Sequence, residues 1–453
     1  MNRKKLFKQA PLFIAGLLFL ALPTYAFYST SLNSQGGSTL SLKYEVNDVF
    51  IGELKHTIQI INTAHSRIAG GKLFVPIVNN LTARHCSILY NVNSTGGEPT
   101  FLKDDFGNLY AYWNNIVIEP EKAFTVELDY NLISFSVSYV INSSMVKNYD
   151  KNSAVYKRYT QPEKLIESDN SQIISTARSI TGDEENPYKK VQKIFDFVTT
   201  HLRYERQEEE RGAFWALKNG VGDCSEYSYL FVALCRAAGI PARIHAGFAF
   251  NNVGESMKDG HMWAEFYLEN YGWVPVDATW GQFQIRDFLH FSSIQSIPEV
   301  IPYANYVFNS TVGQEPKDEQ LVQLKTLSMS SLNNDNFAEN LLSAVQKIRQ
   351  TEFAISLGKT FGASLFFSSE MHEAAQKFFE GKIYVQNAVD SWEINPQIAH
   401  SNVVNALENV EEASNSVWLL IAKTFTIFIS VPTAIMLISM IFLKRYQVKQ
   451  EAV

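Results

Sequence analysis

The chain has 453 residues, 46% of them hydrophobic and 19% charged, with 39 Lys+Arg against 46 Asp+Glu and a formal net charge of −7. That length and apolar content suffice for more than one buried core. The acidic balance, with no basic stripe interleaved with aromatics, argues against nucleic acid as a partner, because phosphate binding needs clustered positive charge. The 3 cysteines are too few for a disulfide framework.

Residues 1–26 have the pattern of a secretory signal peptide. Arg3, Lys4, Lys5 and Lys8 precede an apolar run from Pro11 to Leu22, and Thr24-Tyr25-Ala26 offers small residues for cleavage. Removing four basic residues and no acidic ones takes the net charge from −7 to −11. Retention as an uncleaved anchor is the alternative. Residues 27–160 are expected to form an antiparallel β-sandwich. Short β-branched or apolar runs at Lys55–Ile61, Lys72–Val78, Leu109–Trp113 and Phe124–Tyr130 alternate with turn signals at Gly70-Gly71, Asn93–Gly97 and Asp105–Asn108. His85-Cys86 is a pair without further ligands and reads as structure. Asn80, Asn93, Asn142 and Asn309 each begin an Asn-X-Ser/Thr sequon, compatible with export.

Two helices open the next region, which spans residues 170–312. Ile173, Ile174, Ala177 and Ile180 mark the first; Val191, Ile194, Phe195 and Val198 mark the second, with Pro187 in its first turn. The charged run Glu205–Arg211 reads as a solvated loop. Gly222-Asp223-Cys224-Ser225-Glu226 then leads into a helix whose apolar residues recur at Leu230, Phe231, Leu234, Cys235 and Ala238, with Gly239 and Pro241 past its end. A cysteine at such an N-terminus sits among unpaired N–H groups at the positive end of the helix dipole, which favours the nucleophilic thiolate. Cys235, mid-helix and apolar-flanked, reads as core. Eleven residues of helix separate the two by roughly 16 Å, beyond disulfide reach.

Ala242–Phe250 reads as a strand. His261–Leu268 and Trp273–Trp280 flank a turn at Asn270-Tyr271-Gly272 and read as an antiparallel hairpin, which brings His261 beside Asp277. Nucleophile, base and base-orienting carboxylate are the parts of a Cys-His-Asp triad: Cys224, His261 and Asp277. The expected oxyanion donors are the backbone N–H of Cys224 and one further group that the sequence does not identify. Singly, each residue has a plainer reading as buried thiol, core imidazole or turn former. A Cys/His/Asp metal site is a remote alternative, since structural zinc sites take four ligands, often from close-spaced pairs absent here; no metal and no cofactor are expected. Tyr204, Trp215, Trp263 and Trp280 lie near the motifs in sequence and are expected to pack in the core, with cleft lining the alternative.

Gly-Asp-Cys-Ser-Glu (222–226), Ala-Gly-Ile-Pro-Ala-Arg (238–243), His-Met-Trp-Ala-Glu (261–265) and Gly-Trp-Val-Pro-Val-Asp-Ala-Thr (272–279) resemble the transglutaminase-like superfamily of papain-type cysteine enzymes. The resemblance covers about residues 170–290 and places Cys224, His261 and Asp277 on the family's catalytic positions, in the family's order. It implies thiol chemistry on amide bonds and leaves the substrate open, because the family includes crosslinking enzymes, peptidases, amidases and members without the triad.

Residues 315–417 change to a helical character, with amphipathic stretches at Phe337–Ile348, Met371–Trp392 and Ile398–Ala413, and are expected to form a bundle or stalk. Thr424–Leu443 carries no charge over a bilayer's width and is expected to be a transmembrane helix, with Pro432 inside it. Lys444, Arg445 and Lys449 make residues 444–453 a cytoplasmic tail. The expected whole is an α+β protein: a papain/transglutaminase-like catalytic core preceded by a β-sandwich and followed by a helical stalk and one span. Its expected function is that of a single-pass cell-membrane enzyme with an extracellular catalytic domain, acting on protein or peptide amide bonds through a Cys thioester. The alternative is a non-catalytic surface adhesion or assembly module that keeps the fold.

Overall fold

The computed structural model describes residues 42–78, 85–296, 306–326, 336–392 and 394–450. The expected signal segment, the first part of the expected sandwich up to residue 41 and the Asn80 sequon lie outside these residues. The chain divides into two compact units, one of Lys43–Glu339 with Val389–Gln397, the other taking in Asn340–Ala388 and Ile398–Val453.

The first unit begins with strands β1 (Tyr44–Ile61), β2 (Ile68–Pro76), β3 (His85–Ser94), β4 (Thr100–Lys103), β5 (Leu109–Ile118) and β6 (Ala123–Tyr139). Helices α1 (Ala154–Tyr159), α2 (Ser171–Thr181) and α3 (Pro187–His201) follow, then the two-residue strand β7 (Arg203–Tyr204), α4 (Ala213–Asn219), β8 (Val221–Gly222) and α5 (Cys224–Ala237). The remaining strands are β9 (Ala242–Ala249), β10 (Ser256–Met257), β11 (His261–Leu268), β12 (Gly272–Val276), β13 (His290–Gln295), β14 (Val307–Asn309) and β15 (Lys317–Thr326). They build a sheet of order β10-β15-β1-β6-β3, a second of order β14-β2-β5-β4 and a third of order β12-β11-β9-β13.

The first two sheets enclose an apolar core that includes Leu54, Ile58, Leu73, Val75, Trp113, Val126 and Leu128. Along β1, Leu54, Ile58 and Ile60 point in while Lys55, Thr57 and Gln59 do not, the period of two that a half-covered sheet requires. The sandwich corrects the expected boundaries. Lys317–Thr326 was expected at the start of the helical region, yet it is a strand paired antiparallel with β1 from Ile61 opposite Lys317 to Gly52 opposite Thr326. Val322 and Leu324 face the core between half-buried Leu321 and Gln323. The Leu, Gln, Lys and Glu of this segment are helix formers in isolation, but the long β1 offers a hydrogen-bonding edge, and tertiary pairing overrides propensity. Strand β14 likewise pairs with β2. The sandwich is therefore assembled from stretches on both sides of the segment that carries Cys224.

The third sheet packs against α5 and α3, and α2 and α4 pack in turn on α5. Even-numbered residues of β11 (Met262, Ala264, Phe266, Leu268) join Val191, Ile194, Val198, Leu230 and Leu234 in one core. The odd-numbered positions His261, Trp263 and Glu265 lie on the other face. Central strand β9 is buried along its whole length. Its Gly247 is required by close approach, since a Cβ there would come within 2.1 Å of the Phe291 carbonyl oxygen.

In the second unit, α6 (Asn336–Thr360), the short α7 (Ala363–Phe366), α8 (Ser368–Ser391) and α9 (Pro396–Gln450) contribute to a helical bundle. Ile355 and Ala363 share a core with Met371, Ala374, Val417, Leu420 and Ile421. Among the described residues α9 is the one helix long and apolar enough to cross a membrane, and Pro432 lies inside it.

Leu324 is 1% exposed, so Leu324→Ala is expected to cost roughly 2–5 kcal/mol. Chemical denaturation of the purified protein measures this; a cost near zero would contradict β15 as a core strand.

Candidate active site

Helix α5 starts where the sequence places it. Asp223 caps it, accepting from Ser225 N at 3.1 Å, and Glu226 returns the bond to Asp223 N at 3.0 Å. This capping box satisfies two N-terminal amides and leaves Cys224 in the first helical position. Glu226 is buried and also accepts from Arg211 N at 2.8 Å. Burial pushes its carboxyl up, against the pull of the Arg211 and Asp223 amides. Gly222 permits this packing, because a Cβ would lie 2.3 Å from Glu226 Cβ. Cys224 is half-buried and Cys235 buried, both with free thiols; burial pushes the Cys235 thiol well up, as a core residue requires.

His261 opens β11 and Asp277 directly follows β12. Ala264 pairs with Val276, so the continued register sets Asp277 opposite Trp263 and on the same face as His261. The His261 Nε2 to Asp277 Oδ2 distance is 2.7 Å, and the Cys224 thiol lies near enough to act on the same ring. Burial pulls His261 down, but the bonds to Asp277 and Cys224 outweigh it and raise the imidazole to about 9. The structure thus places Cys224, His261 and Asp277 in one site.

Asp277 has no exposure to solvent. Its Oδ1 accepts from the backbone N–H groups of Thr279 at 2.8 Å and Trp280 at 3.0 Å. Its Oδ2 has a second partner that sequence reasoning missed: His290 Nε2 at 3.5 Å, whose Nδ1 lies 2.9 Å from Asp287 Oδ1. Burial lowers His290, yet Asp277 and Asp287 carry it up to about 9. Asp277 is pushed up by burial and held far below the usual carboxylate range by its two histidines. Imidazolium and carboxylate therefore alternate from His261 through Asp277 and His290 to Asp287. His290 was illegible because a single histidine in an apolar run belongs to no motif; Asp287, three residues earlier, was the only local signal.

Among the described residues, His261, Asp277 and His290 form the one group that could hold a metal ion, with ligand atoms within 4.8 Å of one another. Both imidazoles keep their protons to about pH 9, and a metal would have to displace them. The partners present suit a proton network.

The aromatic expectations need correction. Trp263 is buried, but Tyr204 is 57% exposed and Trp280 36% exposed. Trp280 stacks on His261 with ring centroids 4.7 Å apart, so one face of the base is covered by an aromatic open to solvent. The Glu205–Arg211 run is also not wholly solvated. Glu210 accepts from Tyr229 Oη at 2.6 Å, and burial pushes its carboxyl up to about 7. Beyond His261 on the same sheet face, Arg243 donates to Glu265 at 2.7 Å and His245 Nε2 lies 2.8 Å from the same oxygen. Burial pulls His245 down, against the opposing pull of Glu265. Glu265, which burial alone would raise, stays ionised through His245 and Arg243.

The linkage has a definite sign. A histidine raised from 6.5 to about 9 contributes stability that is complete below its unfolded value and lost as pH rises through about 9. The thermal midpoint is expected to fall between about pH 7 and pH 9.5, and His290→Gln to reduce that fall. Scanning calorimetry across pH checks both; a variant with the wild-type slope would contradict the paired charges.

Residues 174–278 match the transglutaminase-like superfamily. A protein of Haemophilus influenzae described as uncharacterized is 36% identical over 125 residues, 22% of this chain and 33% of its own length. A protein-glutamine gamma-glutamyltransferase of Pseudomonas aeruginosa is 36% identical over 66 residues, 13% of this chain and 10% of that protein. The chain thus spans a third or less of the length of these relatives. A solved structure from Cytophaga hutchinsonii, described as that of a candidate cysteine protease, aligns with a TM-score of 0.45 and 18% identity over 62% of this chain and 93% of that one. The chain carries a transglutaminase-like superfamily domain, and with it the fold of a thiol-enzyme family.

Proposed function

We propose that the chain is a membrane-anchored, cell-surface thiol enzyme that opens amide bonds of proteins or peptides through a thioester on Cys224. The observation that carries this is the His261–Asp277 pair beside Cys224, which stands at the start of a capped helix. The Cys224 sulfur, its proton already held by His261, forms a bond to the carbonyl carbon. The C–N bond breaks, and the leaving nitrogen takes the proton from His261. A water molecule or a second amine then gives a proton to the same imidazole and attacks the thioester, and the C–S bond breaks, restoring the sulfur beside the protonated ring. Asp277 holds the ring orientation and offsets the imidazolium charge.

The outward placement rests on α9. The uncharged Thr424–Leu443 is followed by Lys444, Arg445 and Lys449, a basic flank that favours the cytoplasmic side. The expected signal segment supports the same topology. The name of the Pseudomonas relative supports transfer to an amine as one branch; water is the competing acceptor.

Cys224→Ala is expected to lower turnover of responsive peptide amides roughly a thousandfold or more. Mass spectrometry of the wild type should trap an acyl adduct on Cys224 that hydroxylamine removes. Equal turnover by Cys224→Ala on every responsive substrate would end this reading.

A further inference from the structure

The helical unit presents a tip that its own residues leave uncovered. Between α6 and α8 the chain reads Thr360-Phe361-Gly362-Ala363-Ser364-Leu365-Phe366-Phe367. Turns in water favour Gly, Asn, Asp, Ser and Pro, yet this one exposes Phe361, Phe366 and, at 73%, Leu365. The tip is held firmly. Ala363 is fully buried in the core formed with Ile355, Met371, Leu420 and Ile421. Phe361 rests against Phe425 with centroids 4.9 Å apart, and Phe366 meets Phe428 edge to face at 5.7 Å.

Those ring contacts set a depth. Phe425 and Phe428 belong to the uncharged run that starts at Thr424. At ~1.5 Å per residue, Phe428 lies roughly 6 Å into that run, within the roughly 5–10 Å depth at which interfacial elements settle between headgroups and acyl chains. Exposed Lys359 and Lys423 rim the tip, with Lys423 Nζ 5.8 Å from the Phe367 ring centroid; such side chains reach back to headgroups. Trp418, 47% exposed, precedes the run, where tryptophan suits the membrane interface.

We infer that Phe361–Phe367 is a membrane-inserting tip: it enters the leaflet that α9 enters, lipid covers it, and it fixes the tilt and rotation of the helical unit. The inference rests on the reading of α9 as a span. A lipid surface is the occupant because the apolar surface of the tip is continuous with that of the span at the same height.

The test uses the full chain with Cys86→Ala and Cys224→Ala, leaving buried Cys235, reconstituted in phosphatidylcholine/phosphatidylglycerol vesicles. Single nitroxides are attached at Leu365→Cys, Leu437→Cys and Gln376→Cys, and their collisions with oxygen and with a soluble nickel complex are compared. Labels at 365 and 437 should be oxygen-rich and nickel-poor, and the label at 376 nickel-rich. A label at 365 as nickel-accessible as that at 376, with 437 in lipid, overturns the tip and leaves the anchor standing. Nickel access at both 365 and 437 removes the anchor and the tip together. Spin–spin broadening confined to 365 puts a second copy of the chain on the tip and overturns the lipid assignment.

Discussion

Asp277 is a carboxylate without access to water, and a buried charge is tolerable only when its lone pairs are taken and its charge is answered. Two backbone amides take one oxygen and two histidines face the other. Each partner comes from a different requirement of the fold. The amides need the tight turn after β12, His261 needs the β11–β12 register, and His290 needs β13 on the far side of β9. Removing either histidine would leave the carboxylate short of a partner, at a cost of roughly 3–5 kcal/mol out of a net stability of about 5–15 kcal/mol. Sheet, turn and site are therefore one construction.

The same rule governs the neighbouring polar layer. Glu265 is nearly as deeply buried as Asp277 and is answered by Arg243 and His245. Both layers lie on one face of a sheet whose other face is apolar and packed on α5. The alternation of β11 thus separates chemistry from core while keeping Cys224, at the end of the packed helix, within reach of His261. The sandwich core continues into this sheet through Phe248 and Phe291, so β9 has no exposed face.

What the sequence revealed follows from how local each signal is. The caps and periodicity of α3 and α5 are short-range properties, and the β11–β12 hairpin is set by its turn; Cys224, His261 and Asp277 were all readable from them. Lys317–Thr326 was not, because its apolar alternation is short, its composition suits a helix, and its partner strand lies far away in sequence. His290 was missed for a related reason: its meaning comes from Asp277, across two strands. Trp280 was expected in the core on its place near the motifs, and only the geometry shows it lying on the imidazole.

The central claim is that His261 and Asp277 act on the Cys224 sulfur. The most direct measurement is the rate of Cys224 alkylation by iodoacetamide near neutral pH, read by mass spectrometry in the wild type, His261→Ala and Asp277→Asn. The account predicts fast modification in the wild type, a loss of tenfold or more (about 1.4 kcal/mol) in His261→Ala, and an intermediate rate in Asp277→Asn. Equal rates in all three would contradict it, leaving a folded site in which the histidine does nothing for the thiol.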